Sequence, residues 1–330
     1  MFYLLFIIIV NILVFVFNKK IAEVLNLFDN PDKLRKLHKH KVPLTGGIII
    51  LSNACLGLIL ILSNKLYHEE SIILQNNYDL IILLISIIIF FFVGYLDDKY
   101  NISANKRFLF ISIILLPIIY FSEDLVINQI NFSFIGYSVT LNYLFAVFWT
   151  MLCFLLFINA VNMFDGINYQ VGIYSIYLCS FFLINNYYTL FFSIILISLI
   201  TFIILNHKYK SFLGDSGSYV LAFIFGYFFI RMYNQTENLK VDHVVLFMII
   251  PGLDLIRLFV VRISKSLNPF SPDRNHLHHI ISKKFDLINT NLIIQSLIII
   301  PSILGFYFGY TYIFLSIQMI LYFYFINFIK

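Results

Sequence analysis

The chain has 330 residues, of which 61% are hydrophobic, 18% aromatic and only 12% charged, with a formal net charge of +5. With a mean hydropathy of +0.90, that composition excludes a soluble globular domain, which cannot bury so much apolar surface. Cys55, Cys153 and Cys179 sit inside apolar runs without metal-ligand spacing, so disulfides and zinc are excluded as organising features.

Apolar stretches of about 20 residues read as membrane-crossing helices. In chain order they fall at 2–17, 46–63, 79–96, 107–121, 142–161, 170–184, 189–205, 219–231, 243–262, 292–309 and 311–328. The first lacks a basic start and a small-residue cleavage site, so it reads as a retained helix rather than a signal peptide. The predicted fold is therefore all-α: a polytopic membrane protein of about eleven transmembrane helices with a cytoplasm-facing active-site cleft, forming one domain over 1–330. Between the fourth and fifth spans, the alternation from Val126 to Phe132 predicts a linker or small hairpin.

Lysine and arginine are unevenly divided between the loops. The odd-numbered connections hold Lys19, Lys20, Lys33, Arg35, Lys36, Lys39, Lys41, Lys99, Lys106, Arg107, Lys208, Lys210, Arg262, Lys265, Arg274, Lys283 and Lys284. The even-numbered ones hold Lys65, Arg231 and Lys240. The basic side is expected to be cytoplasmic, with the N-terminus outside and the C-terminus inside.

Five polar clusters interrupt the apolar chain, and this orientation, chosen without them, puts all five on the cytoplasmic side. Ionisable residues are costly near a bilayer and persist chiefly where they act or line a wet cavity. The first cluster, Asp29 to Gly47, is basic; it contains Arg35, Lys36 and His38 and reads as a headgroup anchor or a substrate mouth. The second is Asp97-Asp98 at a helix end, where repulsion between adjacent carboxylates invites a cation, although an ordinary acidic helix end has the same sequence.

The third cluster spaces Asn159, Asn162 and Asp165 three apart, so that a helix would align them on one face, followed by Asn168. Amides and carboxylates suit magnesium and sugar oxygens; helix-joining asparagines are the plainer account. In the fourth, Phe212 to Ser218, a helix start offers free N–H groups and capping hydroxyls, leaving Asp215 available to a metal. The fifth, Pro272 to His279, holds Arg274, His276, His278 and His279. It lacks the companions of a zinc site, and charge-assisted hydrogen bonds to phosphate fit it better. Asp254 either pairs with Arg257 or lines the cavity.

In this order and spacing the chain resembles the polyprenyl-phosphate N-acetylhexosamine-1-phosphate transferase family. The bearers are Asp29/Arg35-Lys36/His38/Pro43/Gly46-Gly47, Asp97-Asp98, Asn159-x-x-Asn162-x-x-Asp165-Gly166, Phe212-x-Gly214-Asp215 and Pro272-Asp273-Arg274-x-His276-x-His278-His279. The last resembles the His-x-His-His form of bacterial enzymes that start O-antigen, enterobacterial common antigen or teichoic acid linkage.

The resemblance implies transfer of an N-acetylhexosamine 1-phosphate from a UDP-sugar to undecaprenyl phosphate with Mg²⁺, or Mn²⁺, releasing UMP. It assigns Asp97, Asp98 and Asp215 to catalysis, Asp97 as candidate base, and Asp215 with Asn162 to the metal. Substrate contacts would come from Asp29, Arg35, Lys36, His38, Asn159, Asp165, Asn168, Arg262, Arg274, His276, His278 and His279. The expected partners are undecaprenyl phosphate, a UDP-N-acetylhexosamine, membrane lipid and, left open, a second copy in a homodimer; nucleic acid is not expected. The expected location is a bacterial cytoplasmic membrane. Many bacterial members read Asp-Gly-Ile-Asp-Gly-Leu where this chain reads Asp165-Gly166-Ile167-Asn168-Tyr169-Gln170, so donor preference is the property most open to change. A peptidoglycan-type phospho-MurNAc-pentapeptide transferase and an ion-coupled transporter are the alternatives. The first carries three consecutive histidines, and the second predicts charges near the midplane and repeated halves.

Overall fold

A computed structural model describes residues 2–31, 40–63, 77–207, 209–269 and 273–328. The fold is all-α apart from two short two-stranded sheets. Among the described residues, seven helices are long and apolar enough to cross a membrane by length and composition, and three shorter ones are also apolar. Two compact units divide the chain.

Unit 1 comprises residues 1–111 and 171–225. It holds α1 (Phe2–Leu25), the strands β1 (Phe28–Asp29) and β2 (Val42–Pro43), α2 (Gly46–Leu62), α3 (Asn77–Tyr100) and the start of α4 (Ala104–Phe121). Nearly all of α6 (Gln170–Ile184), α7 (Thr189–His207) and the first half of α8 (Gly214–Gln235) complete it. The antiparallel β1–β2 pair sets Phe28 opposite Pro43. Helix α2 packs against α7 and α3. With apolar residues on every side, these helices are joined by ring stacking and by a few polar pairs. Phe90 stacks on Phe223 at 4.4 Å and Phe182 on Phe192 at 4.3 Å. The buried Asn11 amide on α1 donates to Asn53 on α2 at 2.8 Å, the kind of helix-to-helix bond expected where water is absent.

Unit 2 comprises residues 112–170 and 226–330. It holds the rest of α4, a 3₁₀ turn at Glu123–Leu125, the hairpin of β3 (Gln129–Asn131) and β4 (Ser138–Thr140), α5 (Tyr143–Phe164) and the end of α8. Helices α9 (Val241–Ser264), α10 (Leu277–Ile281), α11 (Leu287–Phe308) and α12 (Thr311–Phe328) follow. Helix α9 is central, packed against α5, α11 and α12. The first strand of the hairpin falls within the alternating stretch from Val126 to Phe132 that predicted a linker or hairpin, and its second lies beyond it. The hairpin is pinned by Tyr233, whose hydroxyl accepts from the Asn131 N–H at 2.8 Å and donates to the Gln129 carbonyl at 2.7 Å.

Several boundaries differ from the hydropathy reading, because hydropathy ends where polar residues begin and helices do not. Helix α1 runs to Leu25 rather than 17. Helix α5 continues to Phe164, carrying Asn159 and Asn162 within it. Helix α8 begins at Gly214 rather than 219, for a reason found in the acidic cluster.

Candidate active site

In unit 1 the last turn of α3 brings Asp97 and Asp98 beside the start of α8. Asp98 accepts from the backbone N–H of Asp215 at 2.7 Å and of Ser216 at 3.1 Å. These first-turn donors have no partner within a helix, and a carboxylate there also meets the positive end of the helix dipole. The cap is therefore Asp98 and not the serines expected from sequence, and it satisfies N–H groups that the sequence offered to an anion. Ser218 instead donates back to the Asp215 carbonyl at 3.2 Å. Two glycines permit the approach. A Cβ on Gly94 would lie 2.4 Å from the Ser216 backbone, and Gly214 sits at φ +74 facing the Asp98 carboxylate. The Gly46 and Gly47 N–H groups donate to the carbonyls of Phe212 and Leu213 at 3.1 and 3.0 Å, fixing the same turn from α2.

Asp97 is buried at 3% exposure and accepts from three donors: Arg107 at 2.7 Å, the Tyr219 hydroxyl at 3.1 Å and the Ile102 N–H at 2.9 Å. So engaged, the carboxylate serves as the counter-charge of Arg107. Arg107, which the sequence showed only as one loop cation among many, is the cation of the cluster; its guanidinium also lies 3.9 Å from the Asp215 carboxylate. Asp215 keeps 31% of its side chain exposed, whereas Asp97 is buried.

Among the described residues no three His, Cys, Asp or Glu side chains are grouped to hold a metal ion. The donor chemistry nevertheless fits a hard cation such as Mg²⁺, which takes one or two carboxylates from protein and the rest of its shell from water and substrate phosphates. Asp215 suits that part best, since Asp97 and Asp98 are engaged by backbone, tyrosine and arginine donors.

In unit 2 the histidine segment is tied to α9. Asp254 accepts from Arg257 at 2.8 Å, from the Tyr322 hydroxyl at 2.9 Å and from the Leu277 N–H at 3.1 Å, while His276 Nδ1 lies 2.8 Å from its other oxygen. Asp254 thus pairs with Arg257 and also holds the histidine loop. Arg262, expected as a substrate contact, is buried and donates to Asp273 at 2.9 Å and to the Pro269 carbonyl at 2.7 Å, which shapes the loop. Burial works to raise the Asp273 carboxyl, but the Asn275 N–H and Arg262 outweigh it and hold it below the usual range.

His276 and His278 stack at 5.4 Å, and His278 meets His279 edge-on at 4.3 Å. Burial, then His279 and His276, push His278 well below the ordinary histidine value. Burial, then His276 and Arg274, push His279 down to about 4. Both shifts favour the neutral ring at neutral pH, and exposed Arg274 is the charged donor beside them. His278 also abuts the third cluster: a Cβ on Gly166 would lie 1.9 Å from its Nε2.

Of the remaining candidates in unit 2, Asn159 donates its amide to the Leu155 carbonyl at 2.7 Å, and Asn162 is half-buried one turn further along α5. Asp165 ends that helix as its C-cap, and the Asn168 carbonyl accepts from Asn291 at 3.0 Å. Asp29 lies on β1 in unit 1. Arg35, Lys36 and His38 lie outside the described residues.

An all-α, multi-pass membrane protein with a capped acid–arginine cluster is the class that this fold and site define. The family model for glycosyl transferase family 4 matches residues 80–233, a stretch that includes Asp97, Asp98, Arg107, the Asn159 to Asn168 block and Asp215. Relatives named undecaprenyl-phosphate alpha-N-acetylglucosaminyl 1-phosphate transferase are similar over most of the chain. That of Yersinia pestis is 29% identical, covering 80% of this chain and 72% of its own length. That of Thermotoga maritima is 27% identical, covering 88% and 87%, and that of Escherichia coli K12 is 25% identical, covering 81% and 72%. The chain is thus similar to glycosyl transferase family 4 over residues 80–233 and to these transferases over most of its length.

Proposed function

We propose that the chain transfers an N-acetylhexosamine 1-phosphate from a UDP-sugar to undecaprenyl phosphate, releasing UMP and initiating a cell-surface glycan. The observation that carries this reading is the Asp97–Arg107 pair beside Asp215, at a helix start capped by Asp98, inside the stretch that matches the family. An oxygen of the lipid phosphate attacks the phosphorus that bears the sugar. The bond from that phosphorus to the UMP oxygen breaks, and UMP leaves with the electron pair.

The attacking phosphate monoester has its second pKa near 6 and is largely ionised at neutral pH. A protein base is therefore not required, in keeping with the hydrogen-bonded state of Asp97. What the reaction demands is positioning and neutralisation of several negative charges. Arg107, held by Asp97, supplies a fixed positive charge. Asp98 sets the start of α8 and with it the direction of Asp215. Mg²⁺, or Mn²⁺ in its place, would supply further charge neutralisation when held by Asp215; Asn162 stays a candidate oxygen ligand on the resemblance alone.

On the same resemblance Arg274, His276, His278 and His279 are assigned to the donor's diphosphate and sugar, and Asn159, Asp165 and Asn168 to its polar groups. Asp29, Arg35, Lys36 and His38 are assigned to the cytoplasmic mouth. The distribution of Lys and Arg supports a bacterial cytoplasmic membrane location with the N-terminus outside and the reaction on the cytoplasmic side. The whole of 1–330 is read as one transferase domain.

The test is purified full-length protein incubated with undecaprenyl phosphate, Mg²⁺ and a panel of UDP-sugars. UMP release that depends on the lipid, with a matching lipid-diphospho-sugar by mass spectrometry, is the expected result. No lipid-dependent UMP from any UDP-N-acetylhexosamine would overturn the reading.

A further inference from the structure

We propose that Tyr322, on the last helix of the chain, is a positioning residue for the transfer reaction, acting through Asp254 on His276. The proposal rests on the reading above that the histidine loop contacts the donor.

Tyr322 is fully buried, with 0% exposure. Its hydroxyl donates to Asp254 at 2.9 Å and accepts from Arg257 Nε at 2.6 Å. A phenol inside apolar helices is stable only with its hydroxyl paired, and here both partners serve the loop. Arg257 also donates from its terminal nitrogen to the Asn275 carbonyl at 2.6 Å, one residue before His276. Asp254 takes the Leu277 N–H at 3.1 Å and His276 Nδ1 at 2.8 Å. The backbone on both sides of His276 and its ring are thus fixed by one carboxylate and one guanidinium, and Tyr322 joins the two.

With Nδ1 donating to the carboxylate, the other ring nitrogen, Nε2, is left for a further partner, and the ring plane is set by Asp254. Orienting one imidazole nitrogen through a bond from the other is the usual work of an outer carboxylate. A carboxylate that accepts several donors has little freedom to rotate. Loss of the phenol oxygen frees Asp254 Oδ1 on one side and leaves Arg257 Nε without its acceptor.

The experiment is a double-mutant cycle on the full-length protein in detergent or nanodiscs, with UDP-N-acetylglucosamine and undecaprenyl phosphate as probes. Tyr322→Phe, His276→Asn and the double variant are compared with wild type for kcat, for KM of each substrate and for thermal stability. Tyr322→Phe should raise the donor KM about tenfold, the scale of a lost hydrogen bond to a charged group, and leave the lipid KM unchanged. The double variant should resemble His276→Asn alone, because removing the residue acted upon removes the effect of the residue acting on it. Additive losses, or a fall in thermal stability with both KM values unchanged, would show Tyr322 to be merely structural and overturn the inference while leaving the function intact. If His276→Asn turns over like wild type, the histidine loop has no part in the reaction, and the inference fails together with that part of the functional reading.

Discussion

Asp98, in the last turn of α3, accepts the backbone N–H groups of Asp215 and Ser216 at 2.7 and 3.1 Å, so a carboxylate 117 residues away in sequence sets the first turn of α8. The side chain assigned to the metal therefore points as it does because another acid caps its helix. The two acids have different work: one caps the helix by accepting its backbone donors, the other is assigned to the metal.

Removing the cap should act on stability and turnover together. Asp98→Ala loses both acceptors and should cost about 1 kcal/mol, the typical worth of an N-cap. Asp98→Asn keeps one acceptor and loses the charge facing the helix dipole, so it should fall between wild type and alanine. Thermal stability and UMP release should follow the order wild type, Asn, Ala. An alanine variant as active as wild type would separate the cap from Asp215.

Asp215→Asn has the opposite profile. The amide is isosteric and leaves the N–H groups of α8 capped, so the protein should stay folded. Turnover should drop about a hundredfold or more, because the charge opposite the cation is gone. In wild type, EDTA should abolish UMP release and Mg²⁺ or Mn²⁺ should restore it; undiminished turnover in chelator would sink the metal assignment.

Asp97 and Arg107 should behave as a pair. Asp97→Asn removes the counter-charge of a partly buried arginine, and breaking such a pair is costly because the remaining ion is left uncompensated. The kcat should therefore fall across the whole pH range, with no loss of the acidic limb of the pH–rate profile. Disappearance of that limb in Asp97→Asn alone would restore Asp97 as a base. Arg107→Lys keeps the charge but not the geometry that reaches Asp97 at 2.7 Å and Asp215 at 3.9 Å together, and should recover only part of the loss.

The helices and the polar clusters were legible because both are local: a run of apolar residues, or several polar ones close in sequence. The partners of the clusters were not. Arg107 reads as one more loop cation until the turn at 101–103 folds it back on Asp97, ten residues earlier. Asp254 could be narrowed to Arg257, three residues on, but Tyr322 is 68 residues away with no pattern linking them. The serines near Asp215 are good caps by composition, and Asp98 displaces them only through the close approach that Gly94 allows. Local chemistry was readable; long-range hydrogen bonding between helices was not.

The histidine loop makes stability depend on pH in a stated window. In the folded chain His279 is pushed down to about 4 and His278 well below 6.5, mainly by burial. Between 6.5 and about 4 the unfolded chain binds protons that the folded loop refuses, so stability falls as pH drops through that range. The contribution is fully present above 6.5. Wild-type thermal stability relative to His279→Gln should therefore shrink from pH 7 to pH 4.5. A difference that stays constant over that interval would show that His279 is not held neutral by the fold.

Tyr169 takes a backbone conformation that favours glycine. Its φ is +72, in the left-handed region that side chains disfavour, and the conformation carries the chain from Asn168, whose carbonyl is held by Asn291 at 3.0 Å, into α6. A left-handed residue with a Cβ costs roughly 1–2 kcal/mol relative to glycine. Comparing Tyr with Gly directly mixes this strain with loss of the half-buried ring, but Tyr169→Ala and Tyr169→Gly lose the same ring and differ only in the Cβ. Elsewhere in an ordered chain glycine is the less stable of the two by about 0.5–1 kcal/mol. Here the order should invert, with the glycine variant the more stable by about 1 kcal/mol. Thermal unfolding of the two purified variants under one detergent condition decides it. If alanine proves equal or better, the left-handed turn after Asn168 is not the conformation the protein adopts, and the orientation of the Asp165 to Asn168 block against His278 must be different.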